Sequence, residues 1–389
     1  MTFVACRASS VVLTLAAPFL SRPDYIHHIT QLDKYICLIR HRDVQQVTST
    51  EILQARVRNI KAMAEVIIRK ARQFDCKLMK KLMQESAEYQ KFPLCSIITT
   101  SELEEDGWGS FPAFEALVAE DNNGLLVGYA LYYYTYSTWE GRSVFMDDLY
   151  VTSSHRYKGI GFRLCQKFIE IVLDVKCARW NLTMLKSNTQ AIAFFEGQGA
   201  VNLSITEGWD VFRMNKDAME AFLNKAKTIE GVKIRAATAK DCVGIRKLIQ
   251  DLADYEKMPE GPQIDDKKLQ EDCFGEIPFY KVFVAEDDDI LVGYVLFFYT
   301  YSLDGRGVYM EDLYVSPSHR GRGIGSALWR KVVQCGMSVG GCRCDFSVLN
   351  WNASSIEFYK LKGATNLTSE KGHQMYRIKE SIMKKFVRE

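Results

Sequence analysis

This chain contains itself twice, and that limits its folds more than any other feature. Asp147-Asp148-Leu149-Tyr150-Val151 recurs 164 residues later as Glu311-Asp312-Leu313-Tyr314-Val315. Arg156, Gly159, Gly161 and Asn188 recur at the same offset as Arg320, Gly323, Gly325 and Asn352. Upstream the offset is 166 (Asp75 to Asp241, Tyr89 to Tyr255), so two single-residue deletions account for the drift. Such a period is too long for a solenoid unit and is the size of a domain. The sequence therefore predicts two homologous domains, 65–228 and 229–389, with a junction at 225–231 short enough to keep them packed together.

The 389 residues carry 50 Lys+Arg against 48 Asp+Glu, so no global basic field exists to attract nucleic acid or an anionic membrane. No apolar run approaches the ~18 residues that a spanning helix needs. The 11 cysteines show no metal or disulfide spacing, which reads as reduced thiols in an intracellular, cytoplasmic protein without a metal. Residues 1–64 lie outside the repeat and are expected to form a poorly ordered extension. They hold Arg7 and Arg22 and no acid before Asp24, a presequence-like composition that makes the mitochondrion the alternative location.

Each copy reads as a short strand, a helix capped by Asp75 or Asp241, a hairpin and a further strand ending at Val151 or Val315. A glycine loop, a helix, a strand, an Asn-bearing turn, a helix and a closing strand follow. This order predicts an α/β fold, a mixed central sheet flanked by helices in each copy. The strongest chemical signal is Arg320-Gly321-Arg322-Gly323-Ile324-Gly325, set between a strand and an amphipathic helix. Successive amides and the positive end of a helix dipole make such a loop an anion site. It is neither a Walker loop nor a dinucleotide fingerprint, since no Lys-Ser/Thr follows and Ser326 occupies the third glycine's place. Copy one carries Arg156-Tyr157-Lys158-Gly159-Ile160-Gly161 there.

With Asn352 and Ile356-Glu357-Phe358-Tyr359 downstream, and Tyr132 to Arg142 in copy one, both copies resemble the GCN5-related N-acetyltransferases, and within them the spermidine/spermine (diamine) acetyltransferases. The resemblance implies acetyl-CoA as co-substrate and a small polycationic amine as acceptor. Thialysine or a protein lysine is an alternative acceptor, and a non-catalytic acetyl-CoA-binding protein is an alternative of another class. It implies that Arg320 to Gly325 grip the pyrophosphate and that Leu313, Tyr314 and Val315 pair with the pantetheine arm. Asn352 would contact CoA, as would Arg156, Gly159, Gly161 and Asn188 in copy one. Glu311 would be the general base and Tyr359 the acid for the leaving thiolate. Tyr255, Glu256 and Asp312 would receive the amine, and Glu256 is one of eight acids between Asp251 and Asp272 that offer counter-charge to a polycation.

The copies are unequally equipped. Copy one has Asp147, Phe195 and Gln90 where copy two has Glu311, Tyr359 and Glu256, and is expected to bind CoA yet transfer poorly. Copy one alone keeps two tryptophans that the family often has, Trp139 and Trp209, with Asp304 and His373 read as their counterparts. The family's dimers suggest an intramolecular pseudo-dimer in which copy one lends this aromatic wall to copy two. Whether the chain assembles further into homo-oligomers is left open by the sequence.

Overall fold

A computed structural model describes residues 66–91, 98–225 and 229–388; the expected extension at 1–64 lies outside these. The first repeat runs β1 (Val66–Lys70), α1 (Cys76–Gln90), α2 (Thr100–Trp108), β2 (Glu115–Asp121), β3 (Leu126–Ser137), β4 (Gly141–Val151), α3 (Ile160–Asp174), β5 (Arg179–Leu185), α4 (Thr189–Gly197), β6 (Val201–Asn202), α5 (Leu203–Thr206), β7 (Trp209–Asn215) and α6 (Lys216–Asn224). The second runs β8 (Lys233–Ala236), α7 (Cys242–Tyr255), α8 (Asp266–Phe274), β9 (Lys281–Asp287), β10 (Ile290–Ser302), β11 (Gly305–Val315), α9 (Ile324–Ser338), β12 (Arg343–Leu349), α10 (Ala353–Lys360), β13 (Thr365–Asn366), α11 (Leu367–Lys371), β14 (His373–Lys379) and α12 (Glu380–Arg388). The long central strands β3 and β10 are apolar on both faces, because helices cover both sides of each sheet.

The strands form two seven-stranded sheets, ordered β1-β2-β3-β4-β5-β14-β6 and β13-β7-β12-β11-β10-β9-β8. The closing strand of each repeat therefore sits in the other repeat's sheet. β7 pairs antiparallel with β12 (Phe212 opposite Phe346), and β14 pairs antiparallel with β5 (Tyr376 opposite Leu182). The domains predicted at 65–228 and 229–389 are units of sequence; as packed units they exchange a strand and the helix that follows it. Phe212, Met214 and Phe222 are buried in the core of the second sheet, and Tyr376, Ile378 and Phe386 in that of the first. The exchanged helices follow their strands: Phe222 packs on Trp329 at 4.9 Å between ring centroids, and Phe386 stacks on Phe162 at 4.6 Å.

A second interlock joins the halves. The β3–β4 hairpin puts Tyr136 against Tyr280 at 4.3 Å, and the β10–β11 hairpin puts Tyr301 against Phe114 at 4.5 Å. Arg142 pairs with the buried Asp272 at 2.7 Å, and Arg306 pairs with Asp106 in the mirrored position. The hairpin tips also correct the sequence alignment. Gly141 and Gly305 share a positive φ (86° and 98°), so Glu140 matches Asp304 and Trp139 matches Leu303. The carbonyls of Trp139 and Leu303 accept from Gln263 and Ile98, at 2.8 and 3.2 Å, in corresponding contacts with the opposite half. Asp304 is thus not the counterpart of Trp139. Among the described residues, no helix is long and apolar enough to cross a membrane.

Candidate functional site

β11 departs from regular pairing at one residue. Leu296 lies opposite Asp312 and Phe297 opposite Met310, so Glu311 is the extra residue of a β-bulge. In β4 the same break falls on Asp147, between Met146 and Asp148. A bulge interrupts the in-out alternation and re-aims side chains, so the consecutive acids Glu311 and Asp312 both line one cavity. Glu311 accepts from Arg179 of β5 at 3.0 Å. Burial nevertheless outweighs that attraction and pushes its carboxyl up to about 7. Asp312 accepts from the Tyr294 hydroxyl at 2.6 Å and from Thr138, but burial still raises it. Glu256, just past the end of α7, is pushed up to about 8 by burial and then by the charges of Asp312 and Glu311. Asp312 raises both glutamates and Glu311 raises Glu256, so the three carboxyls together make a receptor for positive charge. Of the eight acids between Asp251 and Asp272, Glu256 alone lines the cavity.

Tyr359 projects from α10 into the same cavity. Its ring is wedged between Phe346 at 4.4 Å and Trp329 at 5.1 Å, and burial raises its phenol, so it keeps its proton at neutral pH. Beside it the sheet opens. β11 and β12 pair only at Val308–Met310 with Cys344–Phe346, and then diverge. Leu313 and Val315 remain bonded to β10 on their other side, which leaves the edge toward β12 open for an extended ligand.

At the mouth of this gap, Gly323 takes φ 85° and caps α9, with Gly321 at φ 79° before it. The first-turn amides of α9 have no carbonyl one turn back to bond. Asn352 caps α10 by accepting from Ser355 and also accepts from Tyr255 at 3.2 Å. The Tyr255 ring lies under the Arg320 guanidinium at 5.1 Å, so Tyr255 stands beside the glycine loop rather than among the carboxylates. Leu313, Tyr314, Val315, Arg320 and Asn352 line the cavity, whereas Gly321, Arg322, Gly323, Ile324 and Gly325 lie beyond its lining. Arg322 turns aside to pair with Asp287 at 2.8 Å.

The cavity, about 1500 Å³, is continuous across both repeats. Trp139 lines it and lies close against Gly261, where an added Cβ would meet the indole at 2.7 Å. Trp209 also lines it, from β7 in the second sheet opposite Leu349. His373 is placed correspondingly in the first sheet opposite Leu185, and burial pushes it down to about 4.

In the first repeat, Arg156, Gly159, Gly161 and Asn188 line the cavity too, and Gly159 caps α3 at φ 75°. Its loop differs at Tyr157, which takes φ 61° where the second loop has Gly321. The chemistry-bearing positions differ more. Phe195 offers no hydroxyl. Gln90 and Ser86 bond the buried Asp148, at 3.2 and 2.9 Å. Asp147 is held well above the usual carboxylate range by burial despite Arg343 nearby.

The residues not singled out from sequence are Arg179, Arg377 and Thr138, which cross between halves, and Tyr294, which meets Asp312 within its own repeat. Arg179 recurs as Arg343 and Arg213 as Arg377, both 164 apart, so the repeat itself was the available signal.

Residues 81–200 and 246–363 match the Acetyltransferase (GNAT) family. A thialysine N-epsilon-acetyltransferase of Sus scrofa is 37% identical over 170 residues, 42% of this chain and 100% of that protein. The human spermidine/spermine N(1)-acetyltransferase-like protein 1 is 32% identical over 158 residues, 39% of this chain and 23% of that protein. Among solved structures, a tandem GNAT protein from the clavulanic acid biosynthesis pathway covers 81% of this chain and 99% of its own, at 13% identity and a TM-score of 0.46.

Proposed function

This chain belongs to the acetyltransferase (GNAT) family, and from that premise we propose that its second repeat acetylates a small aliphatic amine carrying more than one nitrogen. That class includes the diamines and polyamines that the sequence suggested. It also includes thialysine, which the similar relatives favour. The observation that carries the reading is the convergence of Glu311, Asp312, Glu256 and Tyr359 on one cavity at the opening between β11 and β12.

Acetyl-CoA would supply a thioester carbonyl open to attack by a neutral amine. The chain's own groups fit such a co-substrate: the first-turn amides of α9 for a pyrophosphate, the open edge of Leu313 to Val315 for an extended arm, and Asn352 beside them. An aliphatic amine is almost wholly charged at neutral pH. Glu256 and Asp312 would draw the ammonium in, and Glu311 would take its proton. With its own value near 7, Glu311 is a stronger base than an ordinary glutamate yet still ionised enough to act. Tyr359, protonated and half-enclosed by aromatic rings, would donate its hydroxyl proton to the departing sulfur. The first repeat keeps the groove but lacks the phenol and the third carboxylate, so we assign it binding of acetyl-CoA with slow transfer or none.

The test is acetyl-CoA turnover by the full chain with putrescine, spermidine, spermine and thialysine, alongside Glu311→Gln and Tyr359→Phe. Turnover of one of these amines that falls by about 10²-fold or more in Glu311→Gln supports the reading, since this is the usual scale of a lost general base. Turnover untouched by both substitutions would overturn it.

A further inference from the structure

Four strand arginines line the cavity, two from each sheet, and three are paired with carboxylates. Arg179 holds Glu311 at 3.0 Å and Glu140 at 3.3 Å. Arg213 holds Asp345 at 2.7 Å, while Arg343 holds Asp345 at 3.1 Å and also Asp304. Arg377, in the exchanged strand β14, has no carboxylate at ion-pair distance among the described residues. Its Nε donates to the neutral amide oxygen of Asn181 at 3.2 Å. The corresponding pair in the other sheet is Arg213 with Asp345, bonded twice at 2.7 and 2.9 Å. One substitution between the repeats, carboxylate to amide, thus leaves one guanidinium without an ion-pair partner among the described residues.

That guanidinium lines the cavity, and its charge bears on Glu311. Burial, and then Arg179, push it down to about 10, although Glu140, Glu207 and Glu311 pull the other way; an arginine there remains charged at neutral pH. A poorly compensated cation inside a cleft is costly, and an entering anion relieves that cost. Its terminal nitrogens make no hydrogen bond to described residues, so the fork that suits a planar carboxylate is free.

We propose that Arg377 and Asn181 form a carboxylate subsite of the second acceptor cleft, so that the preferred acceptor is a zwitterionic amino acid with an aminated side chain rather than a bare polyamine. The proposal rests on the acetyl-transfer reading above and refines it. The side-chain amine lies at Glu311, Asp312 and Glu256, and the carboxylate lies against Arg377. Asn181 holds the guanidinium without competing for its charge.

Ornithine with putrescine, and lysine with cadaverine, are pairs that differ only in a carboxylate and the carbon chemistry it brings, so they isolate the subsite. The full chain is assayed for kcat/KM on each pair, and binding of each is measured by calorimetry with CoA present. The calorimetric arm reads Arg377 even if no amine is acetylated, which separates failure of this proposal from failure of the acetyl-transfer reading. The expected result is a preference for the carboxylate-bearing member of each pair. In Arg377→Gln that preference should fall by about 10- to 100-fold, the scale of a lost charge-assisted hydrogen bond. Asn181→Asp recreates the arrangement around Arg213 and should erase the preference while Arg377 is still present. Equal handling of both members by the unaltered chain, or a preference that survives both substitutions, would overturn the proposal.

Discussion

At the scale of single residues, the candidate base is set by two opposing influences. Burial raises Glu311 to about 7, and Arg179, reaching over from the first sheet, restrains it from rising further. Activity should therefore climb as pH rises through about 7, because the unprotonated form is the one that accepts a proton. Arg179→Met, which keeps the length and removes the charge, should move the acid limb of the kcat/KM profile upward; a limb that stays in place would show that the pair does not tune the base. Tyr359→Phe should lower kcat by about tenfold or more while KM stays within about twofold, since a proton donated to the leaving group acts in the transition state. A parallel loss in KM would assign the phenol to binding. Much at this scale was readable in the sequence. Glu311, Tyr359 and Glu256 stand at fixed offsets from residues of a different type in the first repeat, and the structure brings all three to one cavity. Arg179 and Arg377 were just as regularly repeated, yet a basic residue in a strand carries no sign of which carboxylate it will meet. Trp139 was matched to Asp304 because one deletion in the hairpin can be placed on either side of it; the shared positive φ of Gly141 and Gly305 fixes it at Leu303.

At the scale of elements, the bulge and the exchanged strands organise the site, and neither was legible. A bulge is one residue out of alternation, and Asp-Asp or Glu-Asp inside an apolar strand has the same appearance with or without it. An exchanged strand is hidden for a similar reason. Phe212 and Met214, like Tyr376 and Ile378, mark a buried face without marking the sheet that buries it. The helices α2 and α8 were also missed, because their short, acid-rich sequences lack a long apolar stripe. Two outcomes follow from the exchange. Phe212→Ala, which lies in the first repeat by sequence, should cost about 3–5 kcal/mol and do so by loosening the second sheet. Hydrogen exchange would show β11 and β12 losing protection before β3 and β4; the reverse order would contradict the topology. The isolated segment 229–389 lacks β7 and lacks the β5 edge on which β14 pairs, so it should be unfolded or dimeric by light scattering and circular dichroism. A cooperative folded monomer would count against the exchange. The two repeats are therefore better compared by point substitutions in the full chain than by cutting it.

At the scale of the whole molecule, the shared cavity concentrates acids whose protonated forms the fold favours. Glu256 and Glu311 are raised to about 8 and about 7, above their values in an unfolded chain. The folded state thus binds more protons than the unfolded state between about pH 4.5 and 8, and the unliganded protein should lose stability as pH rises across that window. A thermal melt should show the midpoint falling from pH 5.5 to 8, with a diamine restoring more of it at pH 8 than at pH 6. A midpoint that rises steadily would mean that other groups dominate. The order of the strands has a last consequence, for synthesis. The first sheet takes its sixth strand from His373–Lys379, at the far end of the second repeat. While the chain is being made, the first sheet must wait, with β5 lacking a neighbour on one side, until the second repeat has been read. A stop introduced just before His373 would leave the first sheet unfinished and the second nearly whole.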